Sequence, residues 1–317
     1  MSSHETDRRT LARLPSGVEL DTTVHTYGGG DPTVYVQAAQ HGREINGAAV
    51  LRRLHDRLTD ADLDGTVVAV PVADPLTFDR VSYTTPEAFD SVNPNMNRCW
   101  PGRADGTIHE RMAASLWALA GEADYAVDLH TGSPEMLTHT VYRKNDDDCR
   151  RLAEAFGTDL LLAEPAGEDA DAEWQARDFG GKFRVAASRE GIPTITPELA
   201  HNKHLVEDAI ETGVDGLLRV FRQVGLLDGT APAWDGTRAR NHLGRVQATD
   251  SGLFRPEPAL TLGQTVREGE TVGEVFDPTS YERRQTATVD RDGLVYSITR
   301  EATVTAGQTL VGVATRL

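Results

Sequence analysis

The sequence predicts an α/β fold with a smaller β-rich companion. Apolar strand-like runs alternate with amphipathic helical stretches over the first two thirds of the chain, and short β-like runs separated by glycine take over beyond residue 236. With 317 residues, 39% of them hydrophobic, there is enough apolar material for a main domain and a second, smaller one. We expect the first to span residues 1–235 and the second 236–317, divided at the glycine- and proline-containing stretch 228–236.

The elements follow in order. A polar opening and the turn-forming Gly28-Gly-Gly30-Asp-Pro32 precede residues 33–40, a buried strand, and residues 45–58, a helix on which Val50, Leu51, Leu54 and Leu58 recur at helical spacing. Residues 66–72 form a second β-branched run, and strand, helix, strand is the pattern of a crossover unit in a mainly parallel sheet. Helical spacing returns over 108–119, then a strand over 125–130, another run near 137–142 and a helix over 147–156. A short helix over 180–190 leads to a strand over 192–198, and 205–224 is a long amphipathic helix. In the last segment, Leu262 to Gly273 and Val304 to Gly312 are weakly similar and resemble the β-sandwich hybrid of biotinyl and lipoyl carriers. No lysine follows Lys203 to carry such a group, so we expect a structural module that packs on the main domain or gates its cleft.

Composition excludes several function classes. A formal net charge of −17 repels phosphates, and no basic patch offsets it, so nucleic acid is not expected as a partner. Only three of the 32 basic residues are lysines (Lys144, Lys182, Lys203), and acidic runs occur at 60–64, 146–148 and 168–173, a balance suited to solvation at high salt. No stretch approaches the roughly 18 apolar residues of a membrane span, and the opening lacks the apolar core of a leader, so we expect a soluble, halophilic, cytoplasmic protein. Cys99 and Cys149 are too few for a disulfide framework, and Cys99 beside Trp100 reads as a small packed residue. Whether copies assemble into a homo-oligomer is open.

His41-Gly-Arg-Glu44, where the first strand gives way to helix, carries the chemistry. A histidine and a carboxylate three apart on the first turn of a helix project from one face and can share a borderline-soft cation. The spacing alone is weak, since on the order of one match arises by chance, and His204-Leu-Val-Glu207 is a second instance that reads as a solvated first turn. His55, His109 and His242 read as surface or satisfied core histidines. His130 differs: it ends an apolar strand, where ligands gather in open α/β sheets, and Asp128 on the same strand face can fix its tautomer. His139, inside a strand-like run, is the competing third ligand.

Together, His41-Gly-Arg-Glu44, Asn97-Arg98-Cys-Trp-Pro-Gly102, Asp128-Leu-His130 and Thr196-Pro-Glu198-Leu resemble, in order and setting, the succinylglutamate desuccinylase and aspartoacylase branch of the zinc carboxypeptidase-like hydrolases. The resemblance covers residues 30–225 and implies a three-layer α/β/α domain with a mainly parallel mixed sheet. It implies one Zn2+ per chain on His41, Glu44 and His130 with a fourth position left for water, and Glu198 as the base that takes a proton and delivers it to the leaving amine. Arg98, with Asn97, would bind a substrate carboxylate through its planar fork. The family's arginine ahead of the Asn-Arg pair has no clear counterpart, and Tyr83 or Arg80 is the expected oxyanion donor in its place. The implied activity is hydrolysis of the amide of an N-acyl amino acid or related small acylated carboxylate. The rival readings are a metallocarboxypeptidase acting on peptides and a ligand-binding or regulatory protein on the same scaffold.

Overall fold

In the computed structural model the described residues are 3–86, 89–132, 135–165, 179–201, 203–300 and 303–317, with the side chains of 241–243 left out. The acidic run at 168–173, the His242 side chain and the end of the turn expected after His130 lie outside them.

The chain opens with an antiparallel hairpin, β1 (His4–Arg13) and β2 (Glu19–Gly29), where only a polar tail was expected. Then come β3 (Thr33–Ala38), α1 (Asn46–Thr59), β4 (Gly65–Val70), the short α2 (Pro75–Asp79), α3 (Ile108–Ala120) and β5 (Tyr125–Gly132). After β6 (Glu135–Met136), β7 (His139–Arg143), α4 (Asp147–Phe156) and β8 (Leu160–Glu164) follow the helix Phe183–Arg189, β9 (Thr194–His201) and the helix Glu207–Gln223. The last part is all β: β10 (Thr237–Gln247), β11 (Gly252–Pro256), β12 (Thr265–Val266), β13 (Thr271–Phe276), β14 (Arg283–Thr288), β15 (Gly293–Ile298), β16 (Thr303–Val304) and β17 (Thr309–Arg316).

The main sheet runs β1-β2-β4-β3-β5-β9-β7-β8-β10-β17-β15-β12, with β6 on β15, and a second sheet runs β14-β13-β11-β16. β4, β3, β5 and β9 are parallel to one another, β7 is antiparallel to β9, and β8 restores the parallel sense with β7 and β10. Alternate residues of β3 serve opposite layers. Val34, Val36 and Ala38 pack with Leu54 and Leu58 of α1 and with Phe156 and Phe221, while Tyr35 packs with Met112 and Leu116 of α3 and with Phe183. A sheet covered on both faces has no polar side, which is why its strands read as continuous apolar runs.

Two turns in the β-rich segment account for its weak internal repeat. Thr265-Val-Arg-Glu-Gly269 and Thr303-Val-Thr-Ala-Gly307 each end a short strand and pass through glycine at φ +82° and +87°, a conformation that favours glycine. The two sheets enclose a separate apolar core that includes Phe254, Val275, Val295 and Val311.

Candidate active site

Topology places the site. From β3 the chain crosses through α1 to β4 on one side, while β5 pairs with the other side of β3, so the connections leaving β3 and β5 diverge at their carboxyl ends and open a crevice. The His41 motif lies in that crevice, though not on the first turn of a helix as expected. It forms a turn closed by Glu44 N–H donating to the His41 carbonyl at 3.0 Å, and α1 begins at Asn46. Buried Asn46 ties that start to β9, donating to the Leu199 carbonyl at 3.0 Å and accepting from Val206 N–H at 2.9 Å. Gly42 lets the turn lie against α2, because a Cβ there would fall 2.0 Å from the Thr77 carbonyl.

His41, Glu44 and His130 converge, each side chain at most 5% exposed, with one donor atom from each lying within 4.8 Å of the others. Each imidazole turns Nδ1 toward the carboxylate: His41 Nδ1 is 3.0 Å from Glu44 Oε1 and His130 Nδ1 is 2.9 Å from Glu44 Oε2. Each anchors Nε2 on another oxygen, His41 on Asn95 Oδ1 at 3.0 Å and His130 on Asp128 Oδ2 at 2.9 Å. Two imidazoles and a carboxylate with both rings held from behind form a donor set that suits a borderline divalent cation such as zinc. Asp128 is itself held by Gln37 and Gln40, whose Nε2 groups donate to it, and Gln40 accepts from the Trp100 indole. Asn95, Gln37, Gln40 and Trp100 were not singled out in the sequence. Only the polar Gln37 inside an apolar strand was a signal.

The charges are strongly biased. Burial acts to raise Glu44, but His41 and His130 prevail and hold its carboxyl down at about 2. Burial opposes a charge on His130, yet Asp128 and Glu44 raise it well above the usual histidine range. A cation entering this site therefore meets an ionised carboxylate and displaces a proton from His130. Glu198, opposite His130 in the β5–β9 register, is raised to about 7, first by burial and further by Glu44 and Asp128 against the opposing pull of His130 and Lys182. His139 faces Glu198 from β7 but stands outside the metal-donor group. Burial lowers it to about 4, against the opposing effect of its hydrogen bond to the Leu137 carbonyl at 2.9 Å.

These side chains border a cavity of about 330 Å3 that also takes in Tyr83, Asn97 and Arg98. The Tyr83 ring lies 4.1 Å from the His41 ring, tilted 31° to it, and burial raises its hydroxyl so that it stays protonated. Asn97 Oδ1 accepts from Phe183 N–H at 2.9 Å, and Arg98 lies over the Phe179 ring at 4.8 Å. Arg80 is not brought in. It is exposed, stacked on Phe89 at 4.0 Å, and does not line the cavity, whereas Tyr83, three residues further on, does. Other walls were not anticipated. Fully buried Glu164, at the end of β8, pairs with Lys182 at 3.2 Å and with Arg184, and Arg245, Tyr296, Ser297 and Thr309 reach the cavity from the β-rich segment.

Comparison with known proteins gives this geometry a context. The model of the succinylglutamate desuccinylase/aspartoacylase catalytic domain matches residues 30–224. The chain is 28% identical to an N-alpha-acetyl-L-2,4-diaminobutyric acid deacetylase of Halomonas elongata, over 94% of this chain and 86% of that one. Its fold is similar to a succinylglutamate desuccinylase/aspartoacylase from Rhodobacter sphaeroides (TM-score 0.83, 24% identity, covering 100% of this chain and 95% of that one). It is likewise similar to the product-bound ectoine utilization protein EutE (DoeB) of Ruegeria pomeroyi (TM-score 0.83, 21% identity, covering 99% and 95%).

Proposed function

The chain belongs to the succinylglutamate desuccinylase/aspartoacylase family of deacylases, and on that premise we propose that it is a zinc-dependent hydrolase releasing a short acyl group from the α-nitrogen of an amino acid. The observation that carries this reading is the pairing of Glu198 with His130 across adjacent parallel strands. It sets a carboxyl raised to about 7 beside a preformed donor group. A binding protein needs no such base.

His41, Glu44 and His130 would hold the zinc, which would supply Lewis acidity toward water and the scissile carbonyl. Glu198 accepts the proton from the attacking water and transfers it to the departing amine, so that one water is consumed and a free acid and an amine are released. Tyr83 keeps its proton and donates to the oxygen on which negative charge develops, a part that falls to it because Arg80 does not line the cavity. Arg98 presents its guanidinium to the substrate carboxylate. Residues of the β-rich segment help to wall a cavity of about 330 Å3, a size that suits a small acylated amino acid. The named substrate of the Halomonas relative makes acetylated diamino acids the first compounds to try.

Glu198→Gln is the test. Zinc content should stay at the wild-type level while kcat on the best acylated amino acid falls by about 10^2–10^4-fold. Undiminished turnover would remove Glu198 from the mechanism, and turnover of peptides alone would overturn the substrate class.

A further inference from the structure

A second convergence of imidazoles lies away from the cavity. His4 comes from the start of β1, His25 from β2 and His55 from α1, and one donor atom from each lies within 4.8 Å of the others. The hairpin register sets His4 opposite Tyr27, two residues from His25 on the same face of β2. His4 therefore stacks on both neighbours, 4.6 Å from the Tyr27 ring and 5.4 Å from the His25 ring, and His55 meets it edge-on at 4.9 Å.

Stacking alone does not require the nitrogens to meet. Here they do: His4 Nε2 is 3.1 Å from His25 Nδ1. Two nitrogens bound to one tetrahedral cation at about 2.0–2.1 Å stand about 3.3 Å apart, close to that separation. The His55 ring is held by the Tyr27 hydroxyl, 2.9 Å from Nδ1, which assigns Nε2 to the cation, and Tyr27 is itself only 3% exposed, in the core beneath. Such outer support is what a ligand histidine ordinarily has. All three histidines are half-buried, so a cation has access and water can complete its coordination. An all-imidazole set selects zinc and its transition-metal neighbours over magnesium or calcium.

We propose that His4, His25 and His55 form a second, structural site for a borderline divalent cation such as zinc, clasping the N-terminal hairpin to α1. The site is independent of the proposed hydrolysis, and its residues take no part in it.

Zinc counting by elemental analysis on untagged protein, dialysed against micromolar zinc, separates the two sites. Wild type should retain two zinc ions per chain, His25→Gln one, His41→Gln one and the double variant none. In the His41→Gln background, zinc should still raise Tm, and adding His25→Gln should abolish that rise. Equal zinc content in wild type and His25→Gln would overturn the clasp, whereas equal content in wild type and His41→Gln would instead overturn the metal assignment in the cavity. If His25→Gln loses its cooperative unfolding transition, His4→Gln at the open end of β1 provides the same comparison. Wild-type zinc content in a folded His4→Gln protein would equally refute the proposal.

Discussion

Glu198 ties proposed activity to stability. Its folded-state value of about 7 lies above the ordinary 4.5, so the folded protein holds this proton more tightly than the unfolded chain. The stability it contributes is full below pH 4.5 and is lost as pH rises through about 7. A shift of that size corresponds to on the order of 3 kcal/mol. Metal-free Glu198→Gln should therefore melt higher than wild type near pH 8 and at nearly the same temperature near pH 5. A thermal scan at both values checks this, and equal melting at both would contradict the burial of its charge. Asp128 has a different role, accepting from His130 Nε2 so that Nδ1 is left to bind a cation. Asp128→Asn would offer a donor there, reverse the tautomer and weaken metal affinity by about 10–100-fold, measurable by competition with a chelator. His41, Glu44 and His130 were legible because each ends or follows an apolar run, and Glu198 because it is an acid within one; it lies inside β9, which continues through buried Leu199 and Ala200 to His201, and does not end the strand as expected. Arg80 and Tyr83 were not separable in the sequence, since three residues decide which side chain meets the crevice and the loop carrying them has no periodicity.

At the scale of elements, most of the interior strands and helices lie where apolar spacing placed them. The turn of the His41 motif is the instructive exception. Helical spacing starts before the helix does, because the chain must first turn out of β3 and pass beneath α2. Gly42→Ala would push a methyl into the Thr77 backbone, which cannot yield as a flexible side chain could. We expect a loss of at least about 1–3 kcal/mol and impaired metal retention, seen as a lower denaturant midpoint and lower zinc content. The N-terminal hairpin escaped notice because most of β1 faces solvent and shows little apolar alternation. Its one local signal was Pro15-Ser-Gly17, where Gly17 takes φ +90° to turn β1 into β2. β8 was missed for the opposite reason. It is apolar up to its closing Glu164, short, and follows α4 so closely that periodicity alone does not separate it from helix.

Across the whole molecule, a charge of −17 sets the surface. Part of the acid excess has local work: Asp146 caps α4 by accepting from Cys149 N–H at 2.9 Å, and Asp147 and Asp148 occupy its first turn, where the helix dipole favours them. The remaining repulsion is screened by salt, so Tm should climb from dilute buffer to molar potassium chloride; a maximum in dilute buffer would contradict adaptation to high salt. β10 joins the two parts of the fold, its first residues pairing with β8 on one edge and its length from Ala239 to Gln247 with β17 on the other. Through that junction the β-rich segment brings Arg245, Tyr296, Ser297 and Thr309 to the cavity. No feature of those residues in the sequence distinguishes them from their neighbours, because a wall is made by segments far apart in the chain, and local pattern records only which face is buried. By itself the sequence determined the α/β alternation and the residue types that gather towards the carboxyl ends of the strands, since these depend on periodicity and on a general rule of sheet topology, but not the strand ends, because β5 runs on past His130 to Gly132 and β9 past Glu198 to His201. Only the tertiary structure decided the size of the cavity, the Glu164–Lys182–Arg184 wall, the exclusion of Arg80 and the meeting of His4, His25 and His55, because each depends on how distant segments are brought together.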